Sequence, residues 1–508
     1  MKKIAIITIV SVVIFLADDA QAKDLFVAPG GSDAVTYAAN DISHPWTSIL
    51  RAMQQVQAGD VVYFRQGTYD IPSGGIVIST GFAAGTTESP IRLTSYPNEL
   101  ATWRSTQTNV TIRVGRDHWH FDNLNFVHEP SGSMSGDRGF FQCGYSTTGA
   151  DGFWVKESTF SMNSRGDNYG SVHLKMESPC TNVEITHNTI IHSGGSGLTN
   201  SSGIIAFGNN TFKINNNTVA GPPMGIYLKH ANSSTCGNVS GEVKNNWVRN
   251  NERRAFFSNF NCVVIENNIF DSRASGSAEG GNQFNESNGV SGGDNNLINH
   301  NTFLGGLWFH DDASGAINNT LTNNIIYAKA WNLHPWSGGT IGTGNVNSNY
   351  NLFQAGSVVL MDGTNYTLSS WRTVSGEDVN SLSGTPTFIN ISLDSIDDYA
   401  LTSSSLGYRA ASDGKDMGAD ISLVGVNSEG LVSPTETCSD GIQNQDETGV
   451  DCGGVCPACE TPATTYSLAN FLSLLANWLG AGDEDSDVNN DGIVNTRDLG
   501  IIMSGWGN

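Results

Sequence analysis

Val183-Glu184-Ile185-Thr186-His187-Asn188-Thr189-Ile190 carries the phrase that decides the fold: an apolar residue, asparagine three positions later, and another apolar residue two further on. The phrase returns as Ile214, Asn217, Val219; Val243, Asn246, Val248; Ile265, Asn268, Phe270; Ile298, Asn301, Phe303; Leu321, Asn324, Ile326; and finally Asn351, Phe353. Successive asparagines stand 29, 29, 22, 33, 23 and 27 residues apart, so the unit keeps its core and varies its loops. A conserved phrase inside a unit of that length is the mark of a solenoid, in which each repeat buries its apolar face only against its neighbours.

The rungs of this solenoid are strands. Val183 and Ile185, Phe212 and Ile214, Val263 and Ile265 alternate with polar residues, and side chains on a strand alternate between its two faces. Short strands separated by Gly, Ser and Asn fit one coil of a parallel β-helix per unit, with rungs roughly 4.8 Å apart. Asparagine at a fixed corner has a use there: its amide donates to one neighbouring coil and accepts from the other, satisfying turn backbone that joins no sheet. A leucine-rich repeat does not fit, since its leucine spacing and helix are missing.

Outside the repeat, Leu25-Phe26-Val27-Ala28-Pro29-Gly30-Gly31-Ser32-Asp33 leads to His44-Pro45-Trp46-Thr47-Ser48-Ile49 and Gly59-Asp60-Val61-Val62-Tyr63-Phe64. Near the other end stand Gly376-Glu377-Asp378-Val379-Asn380-Ser381, Pro386-Thr387-Phe388-Ile389 and Met417-Gly418-Ala419. On these segments, residues 24–421 resemble the secreted pectate-lyase-like proteins. The resemblance implies an all-β chain, a right-handed single-stranded parallel β-helix, with a short helix over residues 47–57 capping the first coil. It also implies a polysaccharide lyase, a reaction that the fold alone does not establish.

The first 22 residues read as a signal peptide: Lys2 and Lys3, an apolar run over 4–16, and the small-x-small site Ala20-Gln21-Ala22. The protein is therefore expected outside the cytoplasm, secreted or attached at the cell surface, with the periplasm as an alternative. That run is too short to cross a bilayer, which takes about 20 apolar residues, so no membrane span is expected. The β-helix is expected over 23–430, a Cys/Asp/Gly-rich linker over 431–462 and a calcium-binding tail over 463–508.

Net charge is −24, but from Glu436 to Asp498 twelve acids face a single Arg497, so this stretch supplies −11 of it. Nucleic acid is excluded as a partner, because binding it needs an excess of Lys and Arg on one face. An acidic glycan would need a local basic patch. Eight cysteines in an exported chain point to disulfides rather than zinc. Cys236 and Cys262 lie 26 residues apart, about one coil, leaving Cys143 to pair with Cys180. Cys438, Cys452, Cys456 and Cys459 belong to a linker too short to bury a core, which two disulfides would hold.

In the tail, Asp487, Asn489, Asp491, Asn495 and Asp498 occupy positions 1, 3, 5, 9 and 12 of a calcium loop. The Ile493 carbonyl stands at position 7 and Gly492 makes the bend. Six to eight oxygens are what Ca²⁺ requires, and the loop offers them. Leu475-Ala476-Asn477-Trp478 before it is echoed by Met503-Ser504-Gly505-Trp506 after it. The segment resembles a type I dockerin, which implies a cohesin-like or cell-surface partner, although one loop stands where dockerins carry two.

Three strands share an apolar-x-apolar-basic pattern: Val172-His173-Leu174-Lys175, Ile226-Tyr227-Leu228-Lys229 and Leu307-Trp308-Phe309-His310. The first and third residues of each are expected inside, which puts His173, Lys175, Tyr227, Lys229, Trp308 and His310 on a common outer face. Arg254, Phe256 and Ser258 align with the same strand of another coil. Residues 225–260 hold five Lys or Arg against two acids, a basic patch on an acidic protein.

Such a patch suits β-elimination of an anionic polysaccharide. An Arg clamps the uronate carboxylate, and a Lys or His removes the proton from the neighbouring carbon. Lys229 is the expected base with Arg254 on the carboxylate, a pair that resembles the Lys and Arg of the chondroitinase-B and alginate-lyase branch. The strand motif around Arg254 departs from that branch. Lys175 and His310 are further catalytic candidates; Tyr227, Trp308, His173, Arg253 and His230 are the candidate sugar-binding residues. Two other readings stay open: a glycoside hydrolase using Asp311 and Asp312 as acid and base, and a noncatalytic glycan-binding or adhesive protein. A monomer is expected.

Overall fold

The structure is a computed structural model. It describes residues 22–426, apart from 131, 133–137, 147, 164–168, 176–178, 194–199, 209, 230–240, 274–280, 286–292, 311–317, 328–332, 335–345, 355, 357, 362–363, 391 and 393, together with 468–478 and isolated positions up to 502. The chain divides into two compact units, 1–431 and 432–508.

The first unit is a right-handed parallel β-helix of three sheets, each with twelve strands in register from coil to coil. One coil takes Val183–Thr186 in the first sheet, Thr189–His192 in the second and Ser202–Phe207 in the third. The next takes Phe212–Asn215, Thr218–Ala220 and Met224–Lys229. Ile185 pairs with Ile214, and Ile190 with Val219, so the apolar members of the repeated phrase stack inside. The pairing is parallel throughout the described strands except at one end, where Val359–Met361 meets Thr364–Tyr366 antiparallel.

The corner between the first and second sheets explains the asparagine. The residue before it turns left-handed: His187 (φ 57), Asn216 (56), Asn245 (57), Asn267 (57), His300 (53) and Asn323 (61). Asn and His are among the few side chains that tolerate that region. The following asparagine points inward and is fully buried. Asn188 donates from both its backbone N–H and its Nδ2 to Oδ1 of Asn217, each at 3.0 Å. Its own Oδ1 accepts from Ser158 N at 3.1 Å, and its Nδ2 also reaches the Val155 carbonyl at 2.8 Å. The same arrangement runs through Asn246, Asn268, Asn301 and Asn324 to Asn351. Ser381 ends it by accepting from Asn351 N.

The interior is apolar and, in its first coils, aromatic: Phe64, Trp103, Phe121, Phe126, Phe141 and Phe160 are fully buried. Trp103 meets Phe121 and Phe126 edge-on, at 6.0 and 5.8 Å between ring centres. One end is closed by the helix Ile49–Gln55, N-capped by Ser48, which buries Ile49, Ala52 and Met53 against the first coil. At the other end the helix Leu368–Ser375 buries Leu368 and Trp371 and stops at Gly376, whose φ of 76 ends the turn.

Past this end the chain runs back along the asparagine corner. Gly418 N donates to the Asn323 carbonyl (2.7 Å), Asp420 N to Asn267 Oδ1 (2.6 Å) and Gly425 N to the Asn245 carbonyl (2.7 Å). Asn216 Nδ2 donates to the Leu423 carbonyl at 3.2 Å. The left-handed residues of successive coils thus serve as docking points for residues 412–425.

Cys143 and Cys180 form a disulfide, as their leftover pairing suggested. Cys262 is also disulfide-bonded, and its expected partner Cys236 lies outside the described residues. Among the described residues no helix is long and apolar enough to cross a membrane. In the second unit, the helix Leu468–Ala476 places Leu474 in a small core with Val494 and Ile502.

Candidate functional site on the outer face of the third sheet

Strand register fixes the neighbours of the expected site residues. His173, Ile205, Tyr227, Phe257, Gln283 and Trp308 form one column across successive coils. Val172, Ile204, Ile226 and Phe256 form the adjacent column, which faces the core. Phe256 therefore points inward with Ile226, and Phe257 takes the outer position beside Tyr227. Phe207 pairs with Lys229. Leu174 pairs with Ala206, which puts Lys175 beside Phe207 one position on. Lys175, Phe207 and Lys229 thus share a second outward column, the two lysines two rungs or about 10 Å apart.

The outer face is not an open platform. His173 is fully buried and Tyr227 is 4% exposed; Ile205, Phe207, Met224, Tyr227 and Phe257 form a second apolar cluster outside the main core. Tyr227 meets Phe257 edge-on at 4.9 Å and Phe207 at 6.2 Å, and Phe207 meets His173 at 5.4 Å. Alternation put Tyr227 on the outer face correctly. Its burial follows from large side chains on three successive rungs, which pack edge to edge and cover one another.

The cations stand at the two edges of this cluster. Lys229, partly exposed, holds its Nζ 5.6 Å from the centre of the Tyr227 ring. Arg254 pairs with Met224, at the opposite end of the strand. Five strand positions, roughly 16 Å, separate Arg254 from Lys229 along the sheet, so they are not side-by-side partners. Arg253, next to it, donates its backbone N–H to the Pro223 carbonyl. The arrangement is an aromatic strip with Lys175 and Lys229 along one edge and Arg253 and Arg254 along the other. Trp308 and His310 belong to the strand Leu307–His310; their side chains, with His230, Asp311 and Asp312, lie outside the described residues. Of the calcium loop, Asp487, Asn489, Asp491, Ile493 and Asn495 lie outside them too, and Asp498 is buried. Among the described residues no group of three or more His, Cys, Asp or Glu is placed to hold a metal ion.

A second feature was not expected. On the outer side of the first sheet, a groove of about 460 Å³ is lined by His120, Asp151, Trp154, Glu184, Phe212 and Glu242, among others. His120 and Trp154 are register partners and stack at 3.7 Å with 10° between their planes. Lys156 Nζ sits 3.6 Å from the Trp154 ring centre and pairs with Glu184, which also meets Lys213 at 3.5 Å. His118, left-handed at φ 54, lies beside Asp151 at 3.4 Å. Its ring fits only because Gly152 lacks a side chain: a Cβ there would stand 2.2 Å from His118 Nδ1. His118, His120, Asp151 and Trp154 precede the asparagine repeat, so the repeat gave no signal for them.

Residues 25–178 match the family described as Pel9A-like, right handed beta helix region. Pectate lyase PEL9 of Emericella nidulans is 29% identical over 132 residues, a match that covers 23% of this chain and 30% of that protein. Among solved structures, a rhamnogalacturonan lyase aligns over 80% of this chain and 100% of its own, at 14% identity and a TM-score of 0.45. Pectate lyase Pel9A aligns over 78% of this chain and 96% of its own, at 13% identity and a TM-score of 0.43. The chain is a right-handed parallel β-helix whose opening coils, residues 25–178, match the Pel9A-like model.

Proposed function

We propose that the chain is a polysaccharide lyase that cleaves an anionic polysaccharide by β-elimination on the outer face of the third sheet. The observation that carries this reading is the column Lys175, Phe207, Lys229, set along an aromatic strip whose far edge holds Arg253 and Arg254. The match of residues 25–178 to a Pel9A-like model, and the pectate lyase with 29% identity, support it.

In this reading Lys229, as the free amine, removes the proton from the sugar carbon next to the carboxylate. The C–O bond to the leaving sugar breaks, a C=C bond forms in the ring, and the departing oxygen takes a proton from water. A cation must sit at the carboxylate while charge builds on the carbon. Lys175, in the column of Lys229, suits that role better than Arg254, which would hold a carboxylate elsewhere along the polymer. His310, Trp308 and His230 extend the same face in this reading.

Export through residues 1–22 belongs to the same reading, and the Cys143–Cys180 disulfide supports an oxidising destination. So does Ca²⁺ bound by the loop from Asp487 to Asp498. The test is to incubate the protein with alginate, pectate, a glycosaminoglycan and a sulfated algal polymer and follow the ultraviolet absorbance of an unsaturated product. New reducing ends without that absorbance would replace the lyase by a hydrolase.

A further inference from the structure

The outward columns of the third sheet continue past Lys175 toward the first coils. Arg113, on the strand Ile112–Val114, pairs with Gln142, which pairs with His173, so it lies in the column of His173 and Tyr227, two rungs before His173. Ile112 and Val114 belong to the core, and Arg113 between them points outward. The neighbouring column continues too. Val114 pairs with Cys143 and Cys143 with Leu174, which puts Gly115 beside Gly144 and Gly144 beside Lys175. Where later coils carry Lys175, Phe207 and Lys229 in this column, these two carry only glycine.

Tyr145 uses the space so left. A Cβ on Gly115 would come 3.1 Å from Tyr145 Cβ, so Tyr145 stands over Gly115, two strand positions or roughly 7 Å from Arg113. Tyr145 is 39% exposed, and no ring or cation among the described residues stacks on it. The Arg113 guanidinium, partly exposed, has no ion pair or hydrogen bond among the described residues, whereas Arg65, Arg92, Arg104 and Arg273 are each held by a carboxylate. In a chain with 49 Asp and Glu against 25 Lys and Arg, carboxylates to pair it are not scarce. Along the third sheet, cations thus recur at every second rung, Arg113, Lys175 and Lys229, roughly 10 Å from one to the next.

We propose that Arg113 and Tyr145 form a further sugar subsite, at which the guanidinium takes the carboxylate of a uronate and the Tyr145 ring packs on a sugar face of the same polymer. The subsite rests on the reading that Lys229 acts on an anionic polysaccharide lying along these columns. A guanidinium offers a planar fork that matches a carboxylate with two parallel hydrogen bonds, which a lysine does not. An extended chain advances by about one sugar per rung, so the four rungs from Lys229 to Arg113, roughly 19 Å, call for about five sugars. Chains that long engage both ends of the track, and shorter ones only the Lys229 end. A polymer with a uronate at every second sugar, or at every sugar, meets all three cations.

The experiment measures binding of alginate, pectate and glycosaminoglycan oligosaccharides, disaccharide to octasaccharide, by calorimetry on the full chain carrying Lys229→Ala, so that bound oligosaccharide is not consumed. For at least one series, affinity is expected to rise between tetrasaccharide and hexasaccharide. Added Arg113→Ala should weaken hexasaccharide binding roughly tenfold and Tyr145→Ala roughly fivefold, with disaccharide and trisaccharide affinity unchanged. Lys415→Ala, which removes the same charge at an exposed position elsewhere, should bind as the parent does. Thermal melting checks that each variant folds. Hexasaccharide affinity unchanged in both variants, an equal loss at every length, or no binding of any acidic oligosaccharide would overturn the subsite. Unsaturated product is followed in parallel with Lys229 intact: length-dependent losses without any product would leave the subsite standing and remove the lyase, and product without length-dependent losses would do the reverse.

Discussion

Asn217 and Asn246 are joined twice: the backbone N–H and the side-chain Nδ2 of Asn217 both donate to Oδ1 of Asn246, each at 3.0 Å. Asn246 in turn donates to the Ile214 carbonyl at 2.7 Å, so each asparagine serves two neighbouring coils at once. Asn246→Ala would take the acceptor from the buried Asn217 backbone N–H and the amide donor from the Ile214 carbonyl, while Asn217 Nδ2 keeps the Ile185 and Asn215 carbonyls. The expected loss is about 3 kcal/mol of unfolding free energy, read as a lower denaturant midpoint. A change below about 1 kcal/mol would mean that water or a neighbour replaces the amide.

The Cys143–Cys180 bridge closes a segment of 37 residues within the described coils. Replacing both cysteines by alanine should cost about 3 kcal/mol and lower the melting temperature. Peptide mapping without reduction should recover the pair as one linked peptide; either cysteine found free would contradict the bridge.

Lys229→Ala should reduce unsaturated-product formation by about 10²–10⁴-fold in kcat, while Arg254→Ala should act mainly on KM because it stands at the far edge of the strip. Full activity in Lys229→Ala with product absorbance intact would move the base to Lys175 or His310.

His120 gives a pH dependence whose sign is fixed. Its folded pKa of about 3 lies below the unfolded value near 6.5. Between these values the unfolded chain binds a proton that the folded one does not, so stability falls as pH drops through that window. Lys156, His118 and Arg92 all oppose its protonation. Melting curves from pH 7.5 to 4 should show His120→Phe losing less stability than the parent; identical slopes would place the acid sensitivity at other groups, such as His128, which burial also holds neutral.

Much of the fold was legible because a buried amide corner tolerates few residue types. Asn188 to Asn351 could be read in series for that reason, and the strands on either side could be placed from them. A second set of buried asparagines, Asn210, Asn296 and Asn319, accepts backbone bonds at another corner, from Cys180 N, Val263 N and Asn296 N. Loops of unequal length adjoin them, so their spacing carried no period. At the candidate site, alternation correctly put Val172, Leu174, Ile226 and Leu228 inside. It could not say that the outward Tyr227 would be covered, since alternation reports a face and not what lies on it. The offset between Lys229 and Arg254 was hidden for a related reason: strands of neighbouring coils begin at different points, and only hydrogen-bonded register aligns them. His120 and Trp154 sit in coils where Leu124 and Ser158 stand at the corner, so no repeated phrase marked them.

The segment returning along the asparagine corner changes how such a molecule comes apart. A solenoid with contacts only between adjacent coils can fray from an end one turn at a time. Here residues 412–425 hold Asn323, His300, Asn267, Asn245 and Asn216 through one continuous length of chain. Opening a terminal coil therefore strips a fastening from coils far from it, and a string of local events becomes a single cooperative one, with resistance to exoproteolysis as its practical return.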